Sequence, residues 1–117
     1  MSNLSKQQCI PCRRGDPSLS SQEIQELIAH IPSWQLLEIE NHPCLQRSYK
    51  FKNFAQALNF TNQVGALAEQ EDHHPSITTE WGRVTLQWWT HAINGLHRND
   101  FILAARCDEL YDQMTSS

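Results

Sequence analysis

Apolar residues recur at helical spacing in three segments of the chain, and sequence signals mark where these segments begin and end. In the first segment, Ser20 and Glu23 match the Ser-x-x-Glu capping box that begins a helix, and Pro32 stops the run. The apolar positions of this segment are Ile24, Leu27, Ile28 and Ile31. The pattern predicts a helix that starts after Ser20.

The second and third helical segments are longer than the first. Asn53 is a possible cap for the second, which runs to about Asp72, and Asn99 or Asp100 can cap the third. The stripe of the second segment comprises Phe54, Ala57, Leu58, Thr61, Val64, Gly65 and Ala68, and that of the third comprises Leu103, Cys107, Leu110, Tyr111 and Met114. Both stripes predict helices that bury one side.

Four shorter segments alternate apolar and polar residues, which predicts β-strands. The segments are 34–40, 45–51, 76–81 and 83–89. Asn41, His42 and Pro43 signal a turn between the first two, and the last two are joined near Trp81–Gly82–Arg83. Each pair is therefore expected to form an antiparallel hairpin.

The elements follow in the order helix, strand, strand, helix, strand, strand, helix. Hairpin-length connections predict a four-stranded antiparallel sheet with the three helices on one face. The expected fold class is α+β, in a single domain over residues 20–117. Residues 1–19 mix Pro, Gly, Arg and Ser without periodicity, and are interpreted as an irregular N-terminal arm.

Composition narrows the possible functions. A chain of 117 residues with 39% hydrophobic content can bury one modest core. The formal charge is −4, and no predicted helix face collects enough basic residues to neutralise a phosphate backbone, so direct nucleic-acid binding is not expected. The sequence has neither an apolar run long enough for a membrane span nor the pattern of a secretory signal, which predicts a cytoplasmic location.

The four cysteines do not form an evenly spaced framework, and thiols are expected in a reducing compartment. They are Cys9, Cys12, Cys44 and Cys107. Cys9 and Cys12 make one Cys-x-x-Cys pair, but a structural zinc site needs two further ligands at similar spacing and none follows. One interpretation is that this pair carries out metal or redox chemistry. The other is that it lies in a flexible N-terminal arm without such chemistry.

The histidines near the middle of the chain suggest proton-transfer chemistry. Pro75 cannot continue a helix, so the second helix is expected to end at about His73, and a break there lets His73 and His74 line one cleft. His91 follows the last strand and Asp100 begins the last helix, both plausible rim positions. Imidazole, with an ordinary pKa near 6.5, both donates and accepts protons at neutral pH.

Each of these residues also has a structural interpretation. His73 and His74 can complement the negative end of the second helix, and His91 can be a surface residue at a strand end. Asp100 alone is a typical helix cap. The tryptophans Trp81, Trp88 and Trp89 fit core or interface packing. A histidine metal site is another option, but the HExxH spacing of helix-borne zinc ligands is missing.

The spacing of this set resembles the signature of the pterin-4a-carbinolamine dehydratases. Three residues separate Glu69 from His73–His74–Pro75, and five residues separate Pro75 from Trp81. His91 comes after nine more residues and Asp100 after a further eight. The stretches TEWGRVTLQWWTH, GLHRNDFILAAR and KNFAQALNFTNQVG, with the cysteine pair, are similar to the bacterial branch associated with phenylalanine hydroxylase, so the resemblance covers nearly the whole chain.

This resemblance implies the dehydration of 4a-hydroxytetrahydropterin to quinonoid dihydropterin, which supports tetrahydropterin recycling for an aromatic amino acid hydroxylase. It implies no metal and no cofactor, since the pterin is the substrate. By position, His73 is the principal general acid, His74 binds and orients the pterin, and His91 is a second acid. Asp100 is the carboxylate of the site, and the supporting, substrate-binding positions are Glu69, Pro75 and Trp81.

The resemblance also implies a homodimer or homotetramer, and it leaves an alternative function open. Relatives of this family act as dimerisation partners of a transcription factor or assist the assembly of other enzymes, so a binding protein of the same fold is the alternative. Two positions depart from the pattern. His97 replaces a Ser or Thr that would share a capping box with Asp100, so Asp100 is expected to be freer here, and Ile77 replaces an aromatic residue of animal relatives on the side of the pterin.

Overall fold

The computed structural model describes residues 4–9 and 17–115, which form a four-stranded antiparallel sheet and three helices. The helices are α1 (Ser21–Ile28), α2 (Phe54–Glu71) and α3 (Arg98–Thr115), with short 3-10 turns at Leu4–Lys6 and His91–Ile93. The strands are β1 (Gln35–Ile39), β2 (His42–Lys50), β3 (Ser76–Glu80) and β4 (Arg83–Trp88). They lie in the order β1-β2-β4-β3. The predicted α+β fold and element order are confirmed.

The core lies between one face of the sheet and the helices. On β4 every second residue is buried, namely Val84, Leu86 and Trp88. The helical side contributes Phe60 and Val64 of α2 and a nearly continuous buried stretch of α3, residues 99–105. Within the described residues, none of the helices has the length and apolar character needed to cross a membrane.

Two of the predicted helix starts are confirmed atom by atom. The Ser20 hydroxyl accepts from the Glu23 amide at 3.2 Å, and the Glu23 carboxylate accepts from the Ser20 amide at 3.0 Å, which completes the capping box. The Asn53 side chain accepts from the Gln56 amide at 2.9 Å. These bonds satisfy amide donors that a helix start otherwise leaves without partners, and they fix where α1 and α2 begin.

The predicted turn before β2 is wrong at two of its three positions. The turn residues are Glu40 and Asn41, with φ angles of 49° and 69°, whereas His42 and Pro43 already belong to β2. A two-residue hairpin needs positive φ at both positions, and Asn adopts that conformation readily. Pro43 is tolerated in the strand because β4 pairs with β2 only from Leu45 onward, so its missing amide is not needed there.

The predicted caps of α3 are also wrong, because α3 begins at Arg98 and therefore already contains Asn99 and Asp100. His97 precedes the helix and its Nδ1 accepts from the Asn99 amide at 3.1 Å. The imidazole takes the place of the hydroxyl that usually caps a helix, and histidine is uncommon among sequence signals for a cap.

Asp108 of α3 ties the helix to the first hairpin and to the segment before it. One carboxylate oxygen, Oδ1, accepts from Trp34 Nε1 at 3.0 Å, from Arg47 Nη1 at 2.6 Å and from the Tyr49 hydroxyl at 2.6 Å. Burial, together with the Asp108 carboxylate, raises the pKa of Tyr49 well above its usual range, so the phenol stays protonated and donates. Charge-assisted bonds of this kind are among the stronger hydrogen bonds in proteins.

Replacement of Asp108 by alanine is expected to lower the free energy of unfolding by about 2–4 kcal/mol, because three partly buried donors lose their acceptor. Denaturant unfolding followed by circular dichroism measures this loss. Asp112→Ala is the matched control, since Asp112 lies on the same helix and is exposed. A change for Asp108→Ala as small as that of the control would show that the carboxylate does not hold α3 to the hairpin.

Candidate active site

The end of α2 directs two neighbouring histidines into different environments. Asp72 ends the helix in the left-handed conformation at φ 50°, and the His73 amide donates to Ala68 O at 3.0 Å. Pro75 then prevents any further helical turn. The side chain of His73 is only 9% exposed, whereas that of His74 is 54% exposed and its Nε2 lies 3.3 Å from Glu69 Oε2.

His73 is paired with a fully buried carboxylate. Its Nε2 lies 2.6 Å from Oδ1 of Asp100, and the Asp100 side chain has no exposed surface. The other oxygen, Oδ2, accepts from the Thr90 hydroxyl at 2.8 Å and from the His97 amide at 2.9 Å. A carboxylate held on both oxygens fixes the orientation of the ring and the nitrogen that carries its proton.

The expectation that Asp100 is freer in this chain because position 97 lacks a hydroxyl is wrong. A capping box pairs a side chain at the cap with the third residue of the helix in both directions. Here the His97 amide still donates to Asp100, and the His97 ring replaces the missing hydroxyl as acceptor for the Asn99 amide. The half from the His97 amide to Asp100 is therefore intact, whereas the ring accepts from the second residue of the helix instead of the third, and Asp100 keeps its structural bonds.

A cavity of about 460 Å³ opens beside this pair. Its lining comprises Cys9, Gln70, Glu71, Asp72, His73, His74, Trp89, Thr90, His91, Ala92 and Asn99. The three histidines therefore meet at one cavity, as the break in the helix suggested. Asp100 does not line this cavity, and acts on it through His73 and Thr90.

Aromatic rings support two of the histidines. The His73 ring stacks on Trp88 with centroids 5.8 Å apart, which places it against the core. On the exposed side, Trp89 lies between His91 at 4.5 Å and His42 at 5.0 Å. The interpretation of Trp88 as core packing fits its complete burial, while Trp89 is both a packing residue and part of the cavity lining.

The other signature positions lie at the edge of the site or away from it. Glu69 is 80% exposed and contacts the cavity through His74, and Pro75 serves to break the helix. Trp81 is 70% exposed at the turn between β3 and β4. Five strand residues separate it from the cavity end of β3, a distance of roughly 16 Å. The structure does not bring Trp81 to the cavity.

Several lining residues were missed by sequence reasoning. Thr90 directly precedes His91, so its position next to the signature was a usable signal, although its bond to Asp100 could not be read from spacing. Asn99 was considered only as a cap. Cys9 lies far from the other lining residues in sequence and enters the site through tertiary packing alone. Cys12 falls outside the described residues.

The arrangement is suited to acid–base chemistry on a small planar molecule. Imidazoles from the end of α2 and from the segment after β4 face a common space, and one of them is held by a buried carboxylate. Among the residues that the structure describes, no three His, Cys, Asp or Glu side chains are placed to hold one metal ion.

Comparison with known proteins gives consistent relatives. A family model described as pterin 4 alpha carbinolamine dehydratase matches residues 17–110. A protein of Microcystis aeruginosa is 52% identical over 116 residues, which is 99% of this chain and 100% of that protein. A protein of Syntrophotalea carbinolica is 55% identical over 112 residues, which is 96% of this chain and 100% of that protein. Both are named as candidate pterin-4-alpha-carbinolamine dehydratases.

Two solved structures share the fold. A transcriptional coactivator/pterin dehydratase from Brucella melitensis aligns with a TM-score of 0.74 at 29% identity, over 81% of this chain and 99% of that chain. A pterin dehydratase-like protein identified as a RuBisCO assembly factor in the alpha-carboxysome aligns with a TM-score of 0.58 at 26% identity, over 68% of this chain and 89% of that chain.

Proposed function

The chain belongs to the pterin 4 alpha carbinolamine dehydratase family, and on that premise we propose that it is a hydro-lyase acting on 4a-hydroxytetrahydropterin. The product is quinonoid dihydropterin. The observation that carries the proposal is the His73–Asp100 pair at 2.6 Å, set into the wall of a cavity that two further histidines share. Asp100 also has a structural role at the start of α3, but its bond to a histidine in a cavity wall is typical of acid–base chemistry and is not required for binding another protein.

The reaction breaks the bond between C4a and its hydroxyl oxygen and removes the proton from N5, so that a C4a–N5 double bond forms. Hydroxide is a poor leaving group, and a protonated imidazole that donates to it lets it depart as water. Asp100 occupies Nε2 of His73, so Nδ1 is the ring nitrogen that serves the substrate. One proton is donated and one is released, and the protein ends the cycle unchanged.

The roles of the other groups follow from their exposure and contacts. His73 is the principal acid, because it alone among the cavity histidines is fixed by a buried carboxylate. His91 stands against Trp89 and is assigned as the second acid, and the exposed His74 binds and orients the pterin. The N5 proton passes to a neutral imidazole or to water. In this proposal the pterin is the substrate, and neither a metal nor a further cofactor takes part.

The proposed setting is the cytoplasm. There the quinonoid dihydropterin made by the protein is reduced by a separate reductase and used again by an aromatic amino acid hydroxylase such as phenylalanine hydroxylase. The test is a hydroxylase reaction with limiting tetrahydropterin and an excess of the reductase that recycles quinonoid dihydropterin. Addition of the protein is expected to prevent accumulation of the 4a-carbinolamine and to raise the sustained hydroxylation rate. An unchanged carbinolamine level at all protein concentrations would refute the proposed activity.

Self-association is the second part of the proposal, as a homodimer or homotetramer. Phe54 and Leu58 of α2 are 46% and 43% exposed, one turn apart, and Leu36 on the edge strand β1 is 40% exposed. Apolar side chains clustered on one helix face are typical of interfaces. Binding of a partner protein through the same face is the second candidate function, and it is favoured by the two solved relatives, which are a coactivator/pterin dehydratase and a RuBisCO assembly factor.

Phe54→Glu combined with Leu58→Glu is expected to shift the protein to a monomer, because two charges would be buried at the interface. Sedimentation velocity measures the change, with Gln63→Glu as the control on the same helix. If the wild-type protein is already monomeric at micromolar concentration, or if the double variant keeps the wild-type size, this face is not the self-association surface.

A further inference from the structure

The N-terminal residues 4–9, called here the strap, are packed onto the domain. Leu4 is 2% exposed and belongs to the core, and the single turn Leu4–Lys6 lies against α3. The Ser5 hydroxyl donates to Glu109 at 2.6 Å, and Arg98 donates to the Gln7 side chain at 2.7 Å. These two hydrogen bonds to α3, together with the buried Leu4 side chain, make the strap an integral part of the fold.

Arg106 of α3 joins the strap to the segment that carries His73. Its Nε donates to the carbonyl of Ser5 at 3.1 Å and its Nη2 to the carbonyl of Gln7 at 2.5 Å. Its Nη1 lies 3.3 Å from the carboxylate of Glu71, the last residue of α2. One guanidinium therefore holds both the backbone of the strap and the end of the helix that precedes the catalytic histidine.

The strap ends in the cavity. Cys9 lines it together with Glu71, Asp72 and His73, and Cys9 is the lining residue that comes from outside residues 70–99. Burial raises the pKa of the Cys9 thiol to about 11, an effect that the Glu71 carboxylate reinforces and the Arg106 charge opposes. At neutral pH the thiol is therefore protonated and a poor nucleophile, which fits a wall group better than a reacting one.

We propose that the strap forms a wall of the pterin cavity and raises substrate affinity, with Cys9 in contact with the bound pterin and Arg106 as the positioning residue. The proposal rests on the dehydratase function and extends it to the strap, whose residues 4–9 precede the family match over residues 17–110. The mechanism assigns the strap no role at the reacting atoms. The strap is therefore expected to contact the substrate and the transition state equally. Uniform binding of this kind affects KM and leaves kcat unchanged.

Arg106→Met keeps the length of the side chain but removes the donors to Ser5 and Gln7 and the partner of Glu71. It is expected to raise KM about tenfold or more, the low end of what one group contributes in a ligand pocket, with kcat within about twofold of the wild type. Arg83→Met is the matched control, because within the described part of the chain Arg83 is paired with Glu80 alone, at the far end of the β3–β4 hairpin. It is expected to leave both constants unchanged.

Arg98→Met is a second variant in case Arg106→Met folds poorly, since Arg98 is exposed and contacts the strap through Gln7 alone among its described bonds. A smaller rise in KM, again without loss of kcat, is expected. A fall in kcat with unchanged KM in either folded variant, or wild-type constants in both, would overturn the role of the strap in binding.

A labelling experiment tests the contact at Cys9 without any turnover. In a Cys12→Ser background, N-ethylmaleimide is applied with and without saturating 7,8-dihydropterin, and the modified peptide is quantified by mass spectrometry. Cys44 and Cys107 are fully buried and do not compete. Pterin is expected to slow labelling of Cys9 at least fivefold. Equal labelling rates of Cys9 with and without bound pterin would overturn the proposal. Protection of Cys9 in a protein that lacks dehydratase activity would support the strap as a wall of the pterin cavity and refute the proposed dehydratase function.

Discussion

Replacing His73 by alanine is expected to lower kcat for dehydration of 4a-hydroxytetrahydropterin by about 10²–10⁴-fold, the usual contribution of a positioned general acid. The substituted protein keeps the cavity but loses the ring that Asp100 holds at 2.6 Å. KM is expected to change little, because binding and orientation are assigned to His74 and the cavity walls. Initial rates over a range of substrate concentrations, corrected for the spontaneous reaction, separate the two constants.

His30→Ala serves as the control for this substitution, since His30 is exposed beyond the end of α1. It is expected to retain wild-type kinetics. Added imidazole is expected to restore part of the activity of His73→Ala, because a small acid can enter the vacated space, and it should have no effect on His30→Ala. Wild-type kcat in a folded His73→Ala protein would remove His73 from the chemistry and make His91 the first candidate for the acid.

Asp100→Asn is expected to lower kcat by about 10²–10⁴-fold while the fold persists. The amide has nearly the shape of the carboxylate but only one acceptor oxygen. If that oxygen accepts from Thr90 and His97, the amide nitrogen faces His73 Nε2 as a donor and forces the opposite tautomer. In serine proteases the equivalent exchange behind a catalytic histidine costs about 10⁴-fold through the same tautomer effect.

Thr90→Val distinguishes this tautomer effect from simple loosening of the site. It removes one hydrogen bond to the buried carboxylate, yet leaves the carboxylate in place for His73. The expected results are a loss of stability of about 1–3 kcal/mol and a fall in kcat of no more than about tenfold. If Thr90→Val and Asp100→Asn lower kcat equally, Asp100 acts by rigidity alone and does not select the tautomer.

Local signals predicted most of the fold, because they involve neighbours in sequence. The Ser20–Glu23 capping box, the Asn53 cap and the helix break before Pro75 each depend on a few consecutive residues. The prediction failed where a residue type that is uncommon at turns or caps occupies such a position. Asn41 signalled the first hairpin turn, but the other turn residue with positive φ is Glu40. The cap of α3 is the imidazole of His97, a residue type that sequence statistics rarely assign to that position.

The candidate site was predictable in its residue types and only partly in its geometry. The spacing of His73, His74 and His91 identified the cavity histidines, since a broken helix and a strand end can meet. The burial of each histidine could not be predicted from the sequence, because it depends on how α2 and α3 pack. Long-range contacts, such as Cys9 in the cavity and Arg106 on the strap, leave no periodic signal in the chain.

The most direct test of the central claim is the decay of freshly generated 4a-hydroxytetrahydropterin, followed by ultraviolet absorbance in three parallel samples. These contain buffer alone, the wild-type protein, and the same concentration of His73→Ala. We expect the wild type to accelerate decay in proportion to its concentration, while His73→Ala follows the trace of buffer alone. Three identical traces would contradict dehydratase activity, and equal acceleration by both proteins would contradict the assignment of His73 as the acid.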